Sequence, residues 1–309
     1  MSLKVLLLAK PYPLSFHLEQ RIERAGCELL TIYEQPRSAY RCARAMARRL
    51  GLLKTADILA YSLYERIFRR REIRACMKKF PKEPCAAARD AAAAPQTRNR
   101  IFTGDANSEE TRRAIARFAP DVMVVHATGI LKAETFRPAK VAVNLHVGIL
   151  PKYRGHDSTF WALESGDLEN VGATLHVIDA GVDTGEAIGA ERVAVLPEDT
   201  DVTAWVKAFE AGTELVLRFL RCIEPANPAP DAAAKRIVRR AAAGPAPVVS
   251  RHWPRRGLSD YWLAKSRARG RAAARGTAAG AAEIARIPAS RNAARASLTG
   301  NSSASETRA

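Results

Sequence analysis

The chain has 309 residues, 47% of them hydrophobic and 6% aromatic, with 49 Lys and Arg against 32 Asp and Glu, a net charge of +17. This length admits one sizeable core or two modest ones. Five scattered cysteines, odd in number and without a CxxC pair, argue against a disulfide framework or a zinc site and read as thiols of a reducing compartment.

The charge is uneven. Pro225 to Ala309 holds 16 Lys and Arg and 4 Asp and Glu, a net of +12, which leaves +5 for the preceding residues. No apolar run approaches the ~20 residues of a bilayer span. The run after Lys4 is too short for a secretory signal. The expectation is a soluble, cytoplasmic protein with no membrane partner.

In chain order, Lys4 to Ala9, "KVLLLA", reads as a buried parallel strand. "SFHLEQRIERAG" follows as a helix with Ser15 as candidate N-cap and Gly26 as its stop. "CELLTIYE" is a second strand, so the chain opens β-α-β and predicts an α/β sheet with helices on its faces. Residues 37–98 form a helical, basic insertion and connector. Within it "RIFRRREIRACMKK" is a solvated helix face or a surface that touches an anionic substrate. The sheet resumes at "RIFTGD". "NSEETRRAIARFAP" is a helix with Asn107 as N-cap and Glu110 three residues on. "DVMVVHA", "KVAVNLH", "GATLHVID" and "EAIGAERVAV" are further strands. The segment from Asp199 to Glu224 is a long amphipathic helix offering Val202, Trp205, Val206, Phe209, Val216, Phe219 and Leu220 to the core.

These elements make one catalytic domain over 1–224, followed by a Pro/Ala/Arg-rich tail over 225–309 with an aromatic island at Trp253, Tyr261 and Trp262. Its composition predicts disorder over most of its length.

The chemistry concentrates in "NLHVGILPKYRG". Asn144 and His146 close an apolar strand, where ligands bind in parallel α/β sheets. Residues i and i+2 point to one face, so both hydrogen-bonding groups share one space. Such paired donors can stabilise a developing oxyanion. The Gly-rich loop "DAGVDTG" supplies Asp179 and Asp183 as candidate carboxylates to orient His146. The plainer alternative is a structural histidine and a capping loop. No GxGxxG or GxxxxGK[ST] follows the first strand, and no cluster has metal-ligand spacing.

The ordered series "NLHVGILPKYRG", "FWALESGDLENVGATLHVID" and "AGVDTGEAI" closely resembles the folate-dependent formyltransferase family. The pattern is Asn-x-His, Leu-Pro-x-x-Arg-Gly, Gly-x-Thr-x-His and Asp-Thr-Gly, and weaker similarity extends it to Arg100 through Val195. The resemblance implies a Rossmann-like, open, mostly parallel twisted sheet with flanking helices. It implies a formyltransferase that takes 10-formyltetrahydrofolate as co-substrate. Asn144, His146 and Asp183 match the family's catalytic trio. Asn144 and protonated His146 would stabilise the oxyanion of the tetrahedral intermediate, while Asp183 would steady His146 and relay the amine's proton. Folate would lie against Thr128, Gly129, Ile130 and Leu131 and against Asp179, Ala180, Gly181 and Val182.

Departures from the family bear on the acceptor. The Gly-rich phosphate loop of glycinamide ribonucleotide formyltransferases is replaced by "AKPYPLSFHLE". The tail lacks the apolar content of the folded C-terminal domain of methionyl-tRNA formyltransferases. The first strand begins at Lys4, without the N-terminal regulatory domain of formyltetrahydrofolate deformylases. The expected acceptor is the primary amine of a small molecule such as an amino sugar. The alternatives are initiator tRNA gripped by the basic tail, or a nucleic-acid-binding protein without catalysis. Arg154 is expected to fix the turn and His176 to be structural, while His156 and Asp157 are either ordinary turn residues or groups that line the acceptor side.

Overall fold

A computed structural model of the chain describes residues 2–35, 38–81, 99–223, 251–253 and 256–264. The expected connector after Lys82 and most of the tail lie outside the described residues. The order of elements is β1 (Lys4–Ala9), α1 (Pro13–Arg24), β2 (Glu28–Glu34), α2 (Ala39–Leu50), α3 (Leu52–Phe68), α4 (Arg70–Met77), β3 (Arg100–Thr103), α5 (Glu109–Phe118), β4 (Val122–His126), α6 (Ala133–Phe136), β5 (Val141–His146), β6 (Tyr153–Gly155), α7 (Ser158–Glu164), a 3-10 turn (Leu168–Asn170), β7 (Gly172–Val177), β8 (Ala187–Arg192), α8 (Asp201–Cys222) and β9 (Arg251–Trp253).

Seven strands form one sheet in the order β3-β2-β1-β4-β5-β7-β8. The first five are parallel, while β7 runs antiparallel to β5 and β8 antiparallel to β7. The fold is therefore the Rossmann-like α/β sheet the sequence predicts, with an antiparallel edge. The parallel strands are continuous apolar runs because both faces are covered. Alternate residues feed opposite layers. Leu7, Val124 and Val143 pack with Phe16 of α1 and Phe209 of α8, while Leu6, Leu8 and Met123 pack with Ile115 of α5.

Local expectations differ at three places. Pro13 opens α1 after Tyr12, so Ser15 lies inside the helix and is buried, as the fixed φ of proline favours. Ser108, not Asn107, caps α5, its hydroxyl accepting from the Thr111 N–H. Trp205 is 36% exposed, whereas Val206 and Phe209 are buried.

The insertion attaches to the domain by apolar and polar contacts, with Phe80 a member of the main core and Cys76 and Met77 packed against it. The Arg69 guanidinium is 2.6 Å from Asp201 Oδ1 and 3.1 Å from Glu72 Oε2. The chain divides into two compact units, Met1–Ser259 and Asp260–Ala309. The first includes residues that composition assigns to the tail: β9 pairs in parallel with β6, Arg251 opposite Tyr153 and Trp253 opposite Gly155. In the second, the Tyr261 and Trp262 rings meet edge to face at 5.7 Å.

Candidate active site

Parallel pairing places Val125 of β4 opposite Asn144, so the loop after β4 and the end of β5 share one edge of the sheet. Antiparallel pairing on the other side places His176 of β7 opposite Asn144. The chain after β7 turns back, and Asp183 reaches the same spot. Asn144 Nδ2 donates to Asp183 Oδ1 at 3.3 Å. His146 Nδ1 stands 3.6 Å from Asp183 Oδ2. The three residues expected to act together are thus gathered on the two oxygens of one carboxylate.

His176, expected to be purely structural, belongs to the same cluster. Its Nε2 is 3.0 Å from Asn144 Nδ2 and 3.6 Å from Asp183 Oδ1, and its Nδ1 is 2.9 Å from the Val177 carbonyl. Nδ1–H donating to that carbonyl leaves Nε2 as an acceptor for the Asn144 amide. Asn144 then directs both amide hydrogens inward, one to His176 and one to Asp183. His146 is equally engaged. Its Nε2 lies 2.8 Å from the Tyr153 carbonyl and 3.3 Å from Ser158 Oγ. The same-face rule brings Asn144 and His146 together, but their donors address the protein rather than open space.

β6 supplies the frame. The Gly155 N–H donates to Asp183 Oδ2 at 2.9 Å, and the Arg154 guanidinium donates to the Val182 carbonyl at 2.8 Å. Arg154 fixes the loop that carries Asp183. Asp183 itself takes φ +50, Ala127 after β4 takes +56 and Asp157 before α7 takes +52. Left-handed backbone costs a non-glycine residue of order 1 kcal/mol or more and gathers where a fold over-determines a functional site. Gly148 packs directly against the site. A Cβ there would stand 2.5 Å from Ser158 Cβ and 2.6 Å from His146 Nε2.

Burial shapes the protonation states. For Asp183, desolvation pushes upward, but the His176 and His146 imidazoles in their protonated forms and the Gly155 N–H outweigh it and hold the carboxyl well below the usual carboxylate range. For His146, desolvation dominates over the opposing Asp183 charge and lowers the imidazole below its ordinary value. The direction of both shifts favours a neutral His146 beside an ionised Asp183 in the resting site. With Nε2–H held by Tyr153, Nδ1 is the nitrogen that takes up a proton, facing Asp183.

The two candidate folate segments are both at the surface. In Thr128–Leu131, Gly129 N–H donates to Glu34 Oε2 at 2.9 Å and Ile130 is 63% exposed. Asn107 holds this loop, donating to the Ile130 carbonyl and accepting from Lys132 N–H. In Asp179–Val182, Asp179 Oδ1 accepts from Gly181 N–H and Thr184 Oγ1, and Ala180 and Gly181 are exposed. His156 is exposed, whereas Asp157 accepts the backbone N–H of Arg256 at 3.0 Å. Asp157 therefore ties down the segment after β9. Among the described residues no group of His, Cys, Asp and Glu suits a metal ion, and no helix is long and apolar enough to cross a membrane.

Residues 73–220 match the profile of the formyl transferase family. This segment belongs to that family. It contains Asn144, His146, His176 and Asp183 and omits β1 through α3. A methionyl-tRNA formyltransferase of Idiomarina loihiensis is 35% identical over 119 residues, 38% of this chain and 37% of that protein. One of Myxococcus xanthus is 37% identical over 108 residues, 34% of each. The chain thus spans little more than a third of the length of these curated relatives. A sugar N-formyltransferase from Shewanella sp has a TM-score of 0.46, over 84% of this chain and 78% of that one, at 14% identity. A likeness that loose bears on neither activity nor acceptor.

Proposed function

We propose that the protein transfers a formyl group from 10-formyltetrahydrofolate to the primary amine of a small acceptor, such as an amino sugar. The observation that carries this reading is the convergence of Asn144 and His146 on Asp183, inside the segment that matches the formyl transferase family. The donor would supply an activated formyl carbonyl. The fit is chemical. Exposed backbone and the apolar Ile130 side chain flank the edge of the sheet at Thr128–Leu131, and Asp179–Val182 adds a carboxylate and carbonyls. Together they offer acceptors and an apolar surface to a flat, hydrogen-bonding ring system.

The trio's roles follow from the protonation states. Asn144 would release one of its inward partners and donate its amide hydrogen to the formyl oxygen, a form of electrostatic stabilisation. His146 would take up the amine's proton at Nδ1, where Asp183 lies ready to stabilise the imidazolium. Tyr153 and Ser158 would keep the ring oriented through Nε2.

The test is to incubate the protein with 10-formyltetrahydrofolate and a panel of amines, amino sugars included, and follow tetrahydrofolate release. Turnover with a small amine is the expected result. No turnover with any amine, together with no folate binding, would sink the proposal. A second reading, formylation of initiator tRNA, is supported by the names of the curated relatives and by the +12 carried from Pro225 to Ala309. Charged initiator tRNA in the same assay decides between the two acceptors.

A further inference from the structure

The outward face of α3 is not used by formyl transfer. The helix packs on the domain through Thr55, Ile58 and Tyr61. On a different side Leu52, Ala56, Leu59, Leu63 and Ile67 recur at i, i+4, i+7, i+11 and i+15, and all five are exposed. That spacing draws one continuous apolar stripe along a helix, ~25 Å long at 1.5 Å per residue. Leu53, 90% exposed, and Phe68, 73% exposed, widen its two ends. An exposed stripe of this kind marks an interaction surface.

The stripe is set among arginines. Ala39 to Lys79 carries 12 Lys and Arg and 3 Asp and Glu, a net of +9. Arg48, Arg49, Arg66, Arg70 and Arg71 are all exposed. This charge discriminates among occupants. A second copy would bring +9 against +9. The chain's own Pro225–Ala309 segment touches α3 at Tyr61 and Glu65 through Arg256, away from the stripe, and its net +12 opposes its lying along the arginine-flanked stripe. Nucleic acid would satisfy the arginines but would leave a row of aliphatic side chains in water. An anionic lipid surface meets both demands. The headgroup and acyl boundary takes leucine and isoleucine, and lipid phosphates take the guanidinium groups.

We propose that α2, α3 and α4 form a docking surface for an anionic lipid membrane, with the Leu52 to Ile67 stripe lying in its interface. The proposal goes beyond formyl transfer and does not depend on it.

The experiment is sedimentation of the full chain with phosphatidylcholine vesicles, with and without phosphatidylglycerol, at low and high salt. Binding should require phosphatidylglycerol and weaken with salt. Leu59→Asp with Leu63→Asp should lower it about tenfold or more, because two side chains leave the apolar layer and two like charges meet the lipid phosphates. Both positions are exposed, so circular dichroism should not change. Leu53→Asp is the second variant and should lower binding several-fold. Absence of binding to phosphatidylglycerol vesicles overturns the proposal. So does binding that survives both sets of substitutions, which would trace it to unspecific positive charge. A chain that binds transfer RNA but not vesicles overturns it as well and assigns the surface to nucleic acid.

Discussion

Asp183 is the residue on which the others depend. It accepts from Asn144 and from Gly155 N–H, and it faces His146 and His176. Asp183→Asn would set an amide donor against those donors and remove the charge that a protonated His146 needs. Asp183→Asn and His146→Ala should each lower kcat by about 10²–10⁴-fold while leaving thermal unfolding cooperative. Near wild-type turnover in either would remove that residue from the mechanism. Gly148→Ala forces a methyl onto Ser158 and His146. It should cost about 1–3 kcal/mol of stability, read by urea unfolding, and depress turnover through the displaced imidazole. Asn144, His146 and Asp183 were candidates from a strand-end Asn-x-His and a Gly-rich Asp loop, and the resemblance to the formyltransferase pattern singled them out as a trio. His176 was not legible as a member of the cluster. A histidine in mid-strand looks structural until the register places it opposite Asn144.

Arg256 shows how an element can escape a reading of composition. Its guanidinium lies between the rings of Tyr61 and Phe160, 4.7 and 4.6 Å from their centroids, and pairs with Asp201 and with Glu65. Its side chain is 11% exposed. The contacts reach from the segment after β9 to α3, α7 and α8. Arg256→Ala should destabilise the protein by about 2–4 kcal/mol, since it removes two cation–π contacts and one partner of a buried ion pair. Asp201 keeps Arg69, which limits the loss. A change under about 0.5 kcal/mol in urea unfolding, the range of an ordinary surface substitution, would show that the segment is not anchored by this side chain. Sequence patterning missed this anchor because it rests on single residues far apart in the chain. The helices of the insertion were legible from their apolar period, but which side of α3 packs inward was not.

The domain as a whole should be acid-sensitive, and His126 is one measurable cause. It is buried under β5, its Nδ1 3.4 Å from the Leu145 carbonyl and its ring 5.0 Å from that of Phe209. Burial pushes its imidazole down to about 4, against ~6.5 for an unfolded histidine. Between these values the unfolded chain binds the extra proton, so stability rises with pH. The contribution is complete above about pH 6.5 and is lost as pH falls toward 4. Between pH 7 and pH 5 the loss comes to about 2 kcal/mol. Urea unfolding at both values should show it, and His126→Leu should reduce the pH dependence by that amount. An equal dependence in the variant would place the acid sensitivity elsewhere.

The apolar runs and their helical intervals were enough to specify an α/β sheet and its first β-α-β unit, because burial on both faces demands continuous hydrophobic strands. The residue types of the site were legible for a similar local reason, since side-chain period and loop glycines are written along the chain. The antiparallel course of β7, the arrival of His176 beside Asn144 and the pairing of β9 with β6 were settled by tertiary structure. Strand register and long-range ion pairs join residues whose neighbours in sequence carry no trace of the contact. Protonation followed the same division. A histidine and an aspartate could be named from sequence, but the neutral His146 beside an ionised Asp183 depends on how deeply the fold buries each one.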